Sequence, residues 1–238
     1  MVMRNGRVMN VSTRFLRFAG ICALATVLTT LAIHLLPELW ADADTFEEQL
    51  QLQHNSIYLL HSWVIVVHCL LVIVSMFGLG VLRLPAAPVL IRFGFLGFLF
   101  FACTEILRTS LRIFALNRTW RASYEAATDD ASRMTLRATI GAFSGINESL
   151  FFVFLTAFII GLLCYGFAFV GAKGLEQKVG LLLLLWALLS IPGYVDTVRG
   201  RETVSSYFEW VGTYFQPIAR ALIGVWLWTR GSLVTAQE

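Results

Sequence analysis

The sequence predicts an all-α polytopic membrane protein: one domain over residues 1–238, built as a bundle of six transmembrane helices with both termini cytoplasmic. Three observations predict it. Only 14% of the residues are charged and 58% are hydrophobic, whereas a soluble domain carries about 25% charged residues. Six apolar runs, at 15–36, 57–82, 88–115, 138–170, 178–196 and 206–229, approach or exceed the ~20 residues a helix needs to cross a bilayer. Lysine and arginine also sort unequally between the two sides these runs define.

The first run follows Arg4, Arg7, Arg14 and Arg17. It is longer than the ~7–15 apolar residues of a signal peptide and is followed by Pro37-Glu38 with no small-residue cleavage pattern, which predicts a retained span. The segment 37–56 has no positive residue but holds Glu38, Asp42, Asp44, Glu47 and Glu48. With the N-terminus inside, nine basic residues (Arg4, Arg7, Arg14, Arg17, Arg83, Arg92, Lys173, Lys178, Arg230) fall on the inner side. Six (Arg118, Arg121, Arg133, Arg137, Arg199, Arg201) fall on the outer side. This is the bias of a multi-pass protein of a bacterial-type inner membrane. Trp40, Tyr58, Trp63, Trp120, Trp210, Trp226 and Trp228 lie near span ends, where amphipathic rings favour the interface. Spans three and four are long enough to tilt or project. Pro192 is expected to bend or end span five and Pro217 to kink span six. Cys22, Cys69, Cys103 and Cys164 lie inside apolar runs at spacings that match no zinc pattern, and read as packing residues.

Function is sought where ionisable groups enter the apolar runs, because such groups are costly in a bilayer and mark sites or interhelical pairs. Glu105, Arg108 and Arg112 share one helical stripe of span three at steps of three and four. Span four carries Arg137, Ser144, Asn147 and Glu148; span six carries Glu209, Thr213, Gln216 and Arg220. Span two carries His54, His61, His68 and Ser75 at seven-residue steps, and span one Thr26, Thr30 and His34. Most of these positions fall in the outer half, which predicts a polar intramembrane site open to the outer side. His61, Glu105, Arg108, Arg112, Asn147, Glu148, Glu209 and Gln216 are its expected ligand-binding residues. Arg108 and Arg112 would attract an anionic group, Glu105 and Glu148 would hold the arginines, and His61 would tune the site with pH. The opposing expectation is mutual pairing of three buried acids with three buried bases, Arg220 included.

The expected activity is therefore binding, or help in translocating, a small anionic or amphipathic ligand, with no catalytic residues and no cofactor. One alternative is an accessory subunit of a larger membrane complex, its polar stripes meeting partner helices. Another is a haem or metal redox protein using His34, His61 or His68. His61 and His68 lie ~10.5 Å apart along one helix and cannot ligate one ion together. Phosphate-binding loops, dinucleotide fingerprints and H-E-x-x-H or C-x-x-C-H patterns are absent from the sequence. Gly141-Ala-Phe-Ser144-Gly145 lacks the later histidine an intramembrane serine protease needs. The net charge of +3 is no signal for nucleic acid.

Three stretches carry a resemblance: Arg14-Phe-Leu-Arg17-Phe-Ala-Gly20 leading into span one, Gly161-Leu-Leu-Cys-Tyr-Gly166 in span four, and Lys178-Val-Gly180-Leu opening span five. On these the chain resembles a family of bacterial six-helix integral membrane proteins grouped as a domain of unknown function. The resemblance implies the fold over nearly the whole chain and supplies no functional residues.

Overall fold

Each helix begins where the sequence supplies a partner for its free amides. The computed structural model describes residues 12–40, 43–199, 207 and 210–235, with side chains as far as Arg230. Helix α1 is Thr13–Leu35 and ends in the 3-10 turn Leu36–Leu39, which Pro37 favours. The short α2, Phe46–Gln51, is opened by a capping box between Thr45 and Glu48. After the 3-10 turn Leu52–His54, the Asn55 side chain accepts from the amides of Ile57 (2.9 Å) and Tyr58 (3.1 Å) to start α3, Ser56–Arg83. Pro88, whose missing N–H is no loss in a first turn, starts α4, Pro88–Ser110. The same rod continues as the π-helical stretch Leu111–Arg121 and the short α5, Ala122–Ala126. Asp129 accepts from the Ser132 amide at 2.8 Å and starts α6, Asp130–Val170. Gly174, at φ +67°, supplies the turn into α7, Leu175–Arg199. A second π turn, Val211–Phe215, leads into α8, Gln216–Thr235. The described residues contain no β-strand.

Five helical stretches are long and apolar enough to cross a membrane: Thr13–Leu39, Ser56–Arg83, Pro88–Ala126, Asp130–Val170 and Leu175–Arg199. The sixth expected run corresponds to Val211–Phe215 and α8, which do not join that set among the described residues. Gln216 and Arg220 lower its apolarity, yet it packs more extensively on α1 than any other helix pair packs. Two expected loops are helical instead. The segment 37–56 contains α2 and two 3-10 turns, and the segment 116–137 completes the rod begun by α4 and opens α6. The 41 residues of α6 measure about 60 Å, twice the ~30 Å of a hydrocarbon core. The α4–α5 rod and α6 thus form a hairpin whose distal part stands clear of the bundle.

Two cores follow. The main one joins α1, α3, α4, α6, α7 and α8, with Phe98, Leu162, Tyr165, Phe169, Leu183 and Trp186 fully buried. Glycines bring the helices close, as in lipid-embedded bundles where packing replaces the hydrophobic drive: a Cβ on Gly97 of α4 would lie 2.8 Å from the Ala157 carbonyl of α6. One on Gly20 of α1 would lie 3.0 Å from the Gly224 carbonyl of α8. Tyr165 donates to the Met76 carbonyl at 3.0 Å and ties α6 to α3. A smaller core under the hairpin gathers Leu50, Leu116, Ile140 and Phe143 against Phe46, Trp120 and Tyr124.

Around the main core the neighbours run α1, α3, α4, α6, α7, α8 and back to α1. Among the described residues every neighbouring pair is closely packed except α7 with α8, which meet sparsely. At the end of the short turns near residues 84–87 and 171–174, Glu176 of α7 accepts from Arg230 of α8 at 2.8 Å and pairs with Arg83 of α3 at 3.5 Å. Further along, Trp186 of α7 meets Phe215 of the π turn that leads into α8, ring centres 6.1 Å apart.

Candidate functional site

A cavity of about 400 Å³ lies inside the ring of helices, toward the end away from the Glu176 cluster. All six long helices contribute. His34 and Thr30 come from α1, His61 and His68 from α3, and Glu105 and Arg108 from α4. Arg112 comes from the π stretch, Ser190 from α7, and Gln216 and Arg220 from α8. Phe101 of α4 and Phe151, Phe154 and Phe158 of α6 form an aromatic wall. The stripe spacing seen in the sequence is the cause: residues three and four apart on each helix turn to the same side.

At the rim the charges are organised. Arg108 donates to both Glu105 carboxylate oxygens, from Nη2 at 2.6 Å and Nε at 2.8 Å, a bidentate pair. A further donation goes to the Asn147 side-chain oxygen at 3.2 Å, and the guanidinium lies 5.3 Å from the Phe151 ring centre. Glu105 is 4% exposed and the Arg108 side chain 13%, so the pair is largely removed from water. Arg112 reaches the same Asn147 oxygen at 3.5 Å and has no carboxylate in contact among the described residues.

At the floor the arrangement differs. Arg220 is 3% exposed and lies 5.0 Å over the Trp186 ring. Its Nε and Nη1 are buried without a hydrogen-bond acceptor, and no carboxylate of the described residues pairs with it. It is ten residues from Arg230, or about 15 Å along α8, which places it near the middle of the bundle's apolar thickness.

Three of the four histidines, His34, His61 and His68, line the cavity; His54 lies outside it, exposed and 3.2 Å from Glu125. His61 donates from Nε2 to the Ile33 carbonyl at 3.1 Å, and its ring lies 5.5 Å from that of Trp40. His61 Nδ1 is buried without a partner. His68 Nδ1 shares a 2.7 Å hydrogen bond with the Thr29 hydroxyl, joining α3 to α1. His34 lies against the backbone of Gly212, where any Cβ would strike the imidazole. Among the described residues no three His, Cys, Asp or Glu side chains converge as a metal-ligand set. Of the expected pairs, His34 with His61 has one Nε2 already engaged by a backbone carbonyl.

Of the eight expected ligand-binding residues, His61, Glu105, Arg108, Arg112 and Gln216 line the cavity, and Asn147 stands behind two of the arginines. Glu148 does not join them. It is exposed on the distal part of α6 and makes no contact with the arginines it was expected to hold. The reason is helix length: α6 begins at Asp130, not near 138, so counting back ~20 residues from Val170 ends close to position 150. Glu209 lies outside the described residues. Arg220, Ser190 and the phenylalanine wall were not among the expected site residues. The four-three-four spacing of the last polar stripe already contained Arg220; nothing in one dimension marked it as unpaired.

No protein-family model matches the chain, and no curated protein or solved structure matches it.

Proposed function

We propose that this is a multi-pass protein of a bacterial-type inner membrane, with six spans and cytoplasmic termini, that binds or helps translocate a small anionic or amphipathic ligand. One observation carries the reading: three arginines and a single glutamate line one cavity among the described residues. Glu105 neutralises Arg108, which leaves Arg112 and Arg220 as uncompensated positive charge in a low-dielectric space. Such a space strengthens attraction to an anion, and groups placed there at a cost mark function more often than packing. The volume, about 400 Å³, suits a small ligand, since such pockets run from ~300 to 1,000 Å³. With the N-terminus inside, the rim that carries Arg112 faces outward.

The test is thermal unfolding of the full chain in neutral detergent with inorganic phosphate, acetate and dodecanoate. A ligand that binds only the folded state stabilises it by mass action. At least one of these anions should raise the melting temperature saturably, and Arg112→Gln should weaken the response. Arg108→Ala is the poorer variant, because it strands Glu105. If no anion stabilises the protein, the reading is lost.

A second reading, a subunit of a larger membrane complex, is favoured by the distal part of α6. Gly141 and Gly145 face open space beside exposed Ser144 and Ser149, a surface another helix could approach closely. Stoichiometric protein partners on gentle purification would support it.

A further inference from the structure

We infer that the ligand is an acyl-chain oxyanion taken from the bilayer, a single carboxylate or phosphate group on an apolar chain, and that Arg220 is the residue that anchors its charge. The inference rests on the reading that the cavity takes an anion, and adds to it the ligand's second half and the anchoring atom.

Among the described residues Arg220 is the one side chain with two buried donors left without acceptors. Its guanidinium is 3% exposed, lines the cavity, and leaves Nε and Nη1 without acceptors. Contact with the Trp186 face, at 5.0 Å, attracts the cation but accepts no in-plane N–H. A planar fork of donors is suited to a carboxylate or phosphate, which can take two parallel hydrogen bonds. Buried donors without partners are rare in folded proteins and call for an explanation. A bound oxyanion supplies both the acceptors and the countercharge.

The apolar half follows from what surrounds that anchor. Between the Arg220 floor and the rim stand Phe101, Leu155, Phe158 and Ile65, a wall that gives a free hydrated ion nothing in exchange for its water. An acyl chain laid along the same wall gains ~0.8 kcal/mol for each methylene it buries. A cavity of about 400 Å³ cannot enclose a whole membrane lipid, so a longer chain must extend into the bilayer. The route is the junction that is loosely packed among the described residues, between α7 and α8. Both helices line the cavity there, through Ser190 on one and Gln216 and Arg220 on the other.

The experiment separates charge from chain. The full-length protein in maltoside micelles is titrated with dodecanoate, with dodecanol, and with acetate and inorganic phosphate, and melting is followed for the parent, Arg220→Gln and Arg220→Lys. Dodecanoate alone should stabilise the parent saturably. Arg220→Gln should melt at the same or a higher temperature without ligand, because an unpaired buried charge has been removed, yet need at least about tenfold more dodecanoate for the same shift, a loss of ~1.4 kcal/mol. Arg220→Lys should recover part of the response. A response to phosphate or acetate equal to that of dodecanoate would leave the anion site standing and overturn the acyl chain. An equal response to dodecanol would overturn the anionic group. A dodecanoate shift unchanged in Arg220→Gln would overturn the anchor.

Discussion

The rim of the cavity holds a half-buried arginine and the floor a buried one, and their costs are met in opposite ways. At the rim Arg108 is clasped by Glu105 at 2.6 and 2.8 Å, by Asn147 at 3.2 Å, and by a phenylalanine face. At the floor Arg220 has an aromatic face, and its Nε and Nη1 find no acceptor among the described residues. The first is satisfied by the residues around it; the second leaves two donors without acceptors among the described residues. A charge that is fully partnered mainly holds helices in register. A charge left unpartnered lowers the stability of the empty protein and keeps a binding free energy in reserve, the usual conflict between stability and function.

The largest effect should come from breaking the completed pair. Glu105→Gln leaves the Arg108 guanidinium buried without its countercharge and should destabilise by about 3–5 kcal/mol, read as a fall in detergent-denaturation midpoint. The double variant Glu105→Gln with Arg108→Gln should recover most of that loss, as removal of both charges often does. A double variant as unstable as the single one would contradict the pairing. Against this, the sign at Arg220 should reverse, with the uncharged variant melting no lower than the parent. If it melts much lower, rim and floor are alike and the comparison fails.

A smaller effect should come from Asn147→Leu. Arg108 and Arg112 lose a shared acceptor, at a net cost of about 1 kcal/mol. The loss should be seen mainly in weaker anion stabilisation, since Arg108 keeps Glu105. The smallest should come from Asp129, which caps α6 far from both regions. The Ser132 amide it accepts from holds its carboxyl below the usual carboxylate range. Its folded pKa is thus lower than its unfolded one. The cap's contribution is present at pH values above ~3.9 and fades as pH falls through the folded pKa. Asp129→Asn should flatten that acid-side dependence, measured by amide exchange at the start of α6, and leave the anion response untouched.

Much of this architecture was legible in the chain. Five of the apolar runs are five of the helical rods, because length and apolarity are one-dimensional properties. The polar stripes were legible too, since spacings of three and four fix a face: Glu105, Arg108 and Arg112 do turn to one side, and His34, His61 and His68 do meet one cavity. What was not legible depended on partners. The stretch 116–137 falls between two apolar runs and is expected as a loop, yet Asn117 accepts from Arg121 at 2.7 Å within a helical stretch continuous with α4. Glu148 was placed in the bilayer because its helix was started eight residues late. Three acids set against three bases suggested mutual pairing, but equal numbers say nothing about which faces meet. Among the described residues Glu105 meets Arg108, Glu148 stands outside, and Arg112 and Arg220 are left over, while Glu209 lies outside the described residues.

The carboxylate of Glu176 is shared by Arg83 at 3.5 Å and Arg230 at 2.8 Å, which pins α3, α7 and α8 together at a single end. The covalent chain adds a second tie: α8 follows α7 in sequence, so the stretch between Arg199 and Trp210 joins the two helices at the opposite end. A junction tied at both ends is least constrained between them. Ten residues from Arg230, about 15 Å along, that middle is the level of Arg220. The ion cluster and the chain connection together thus put the freest part of the α7–α8 junction beside the guanidinium that lacks acceptors among the described residues.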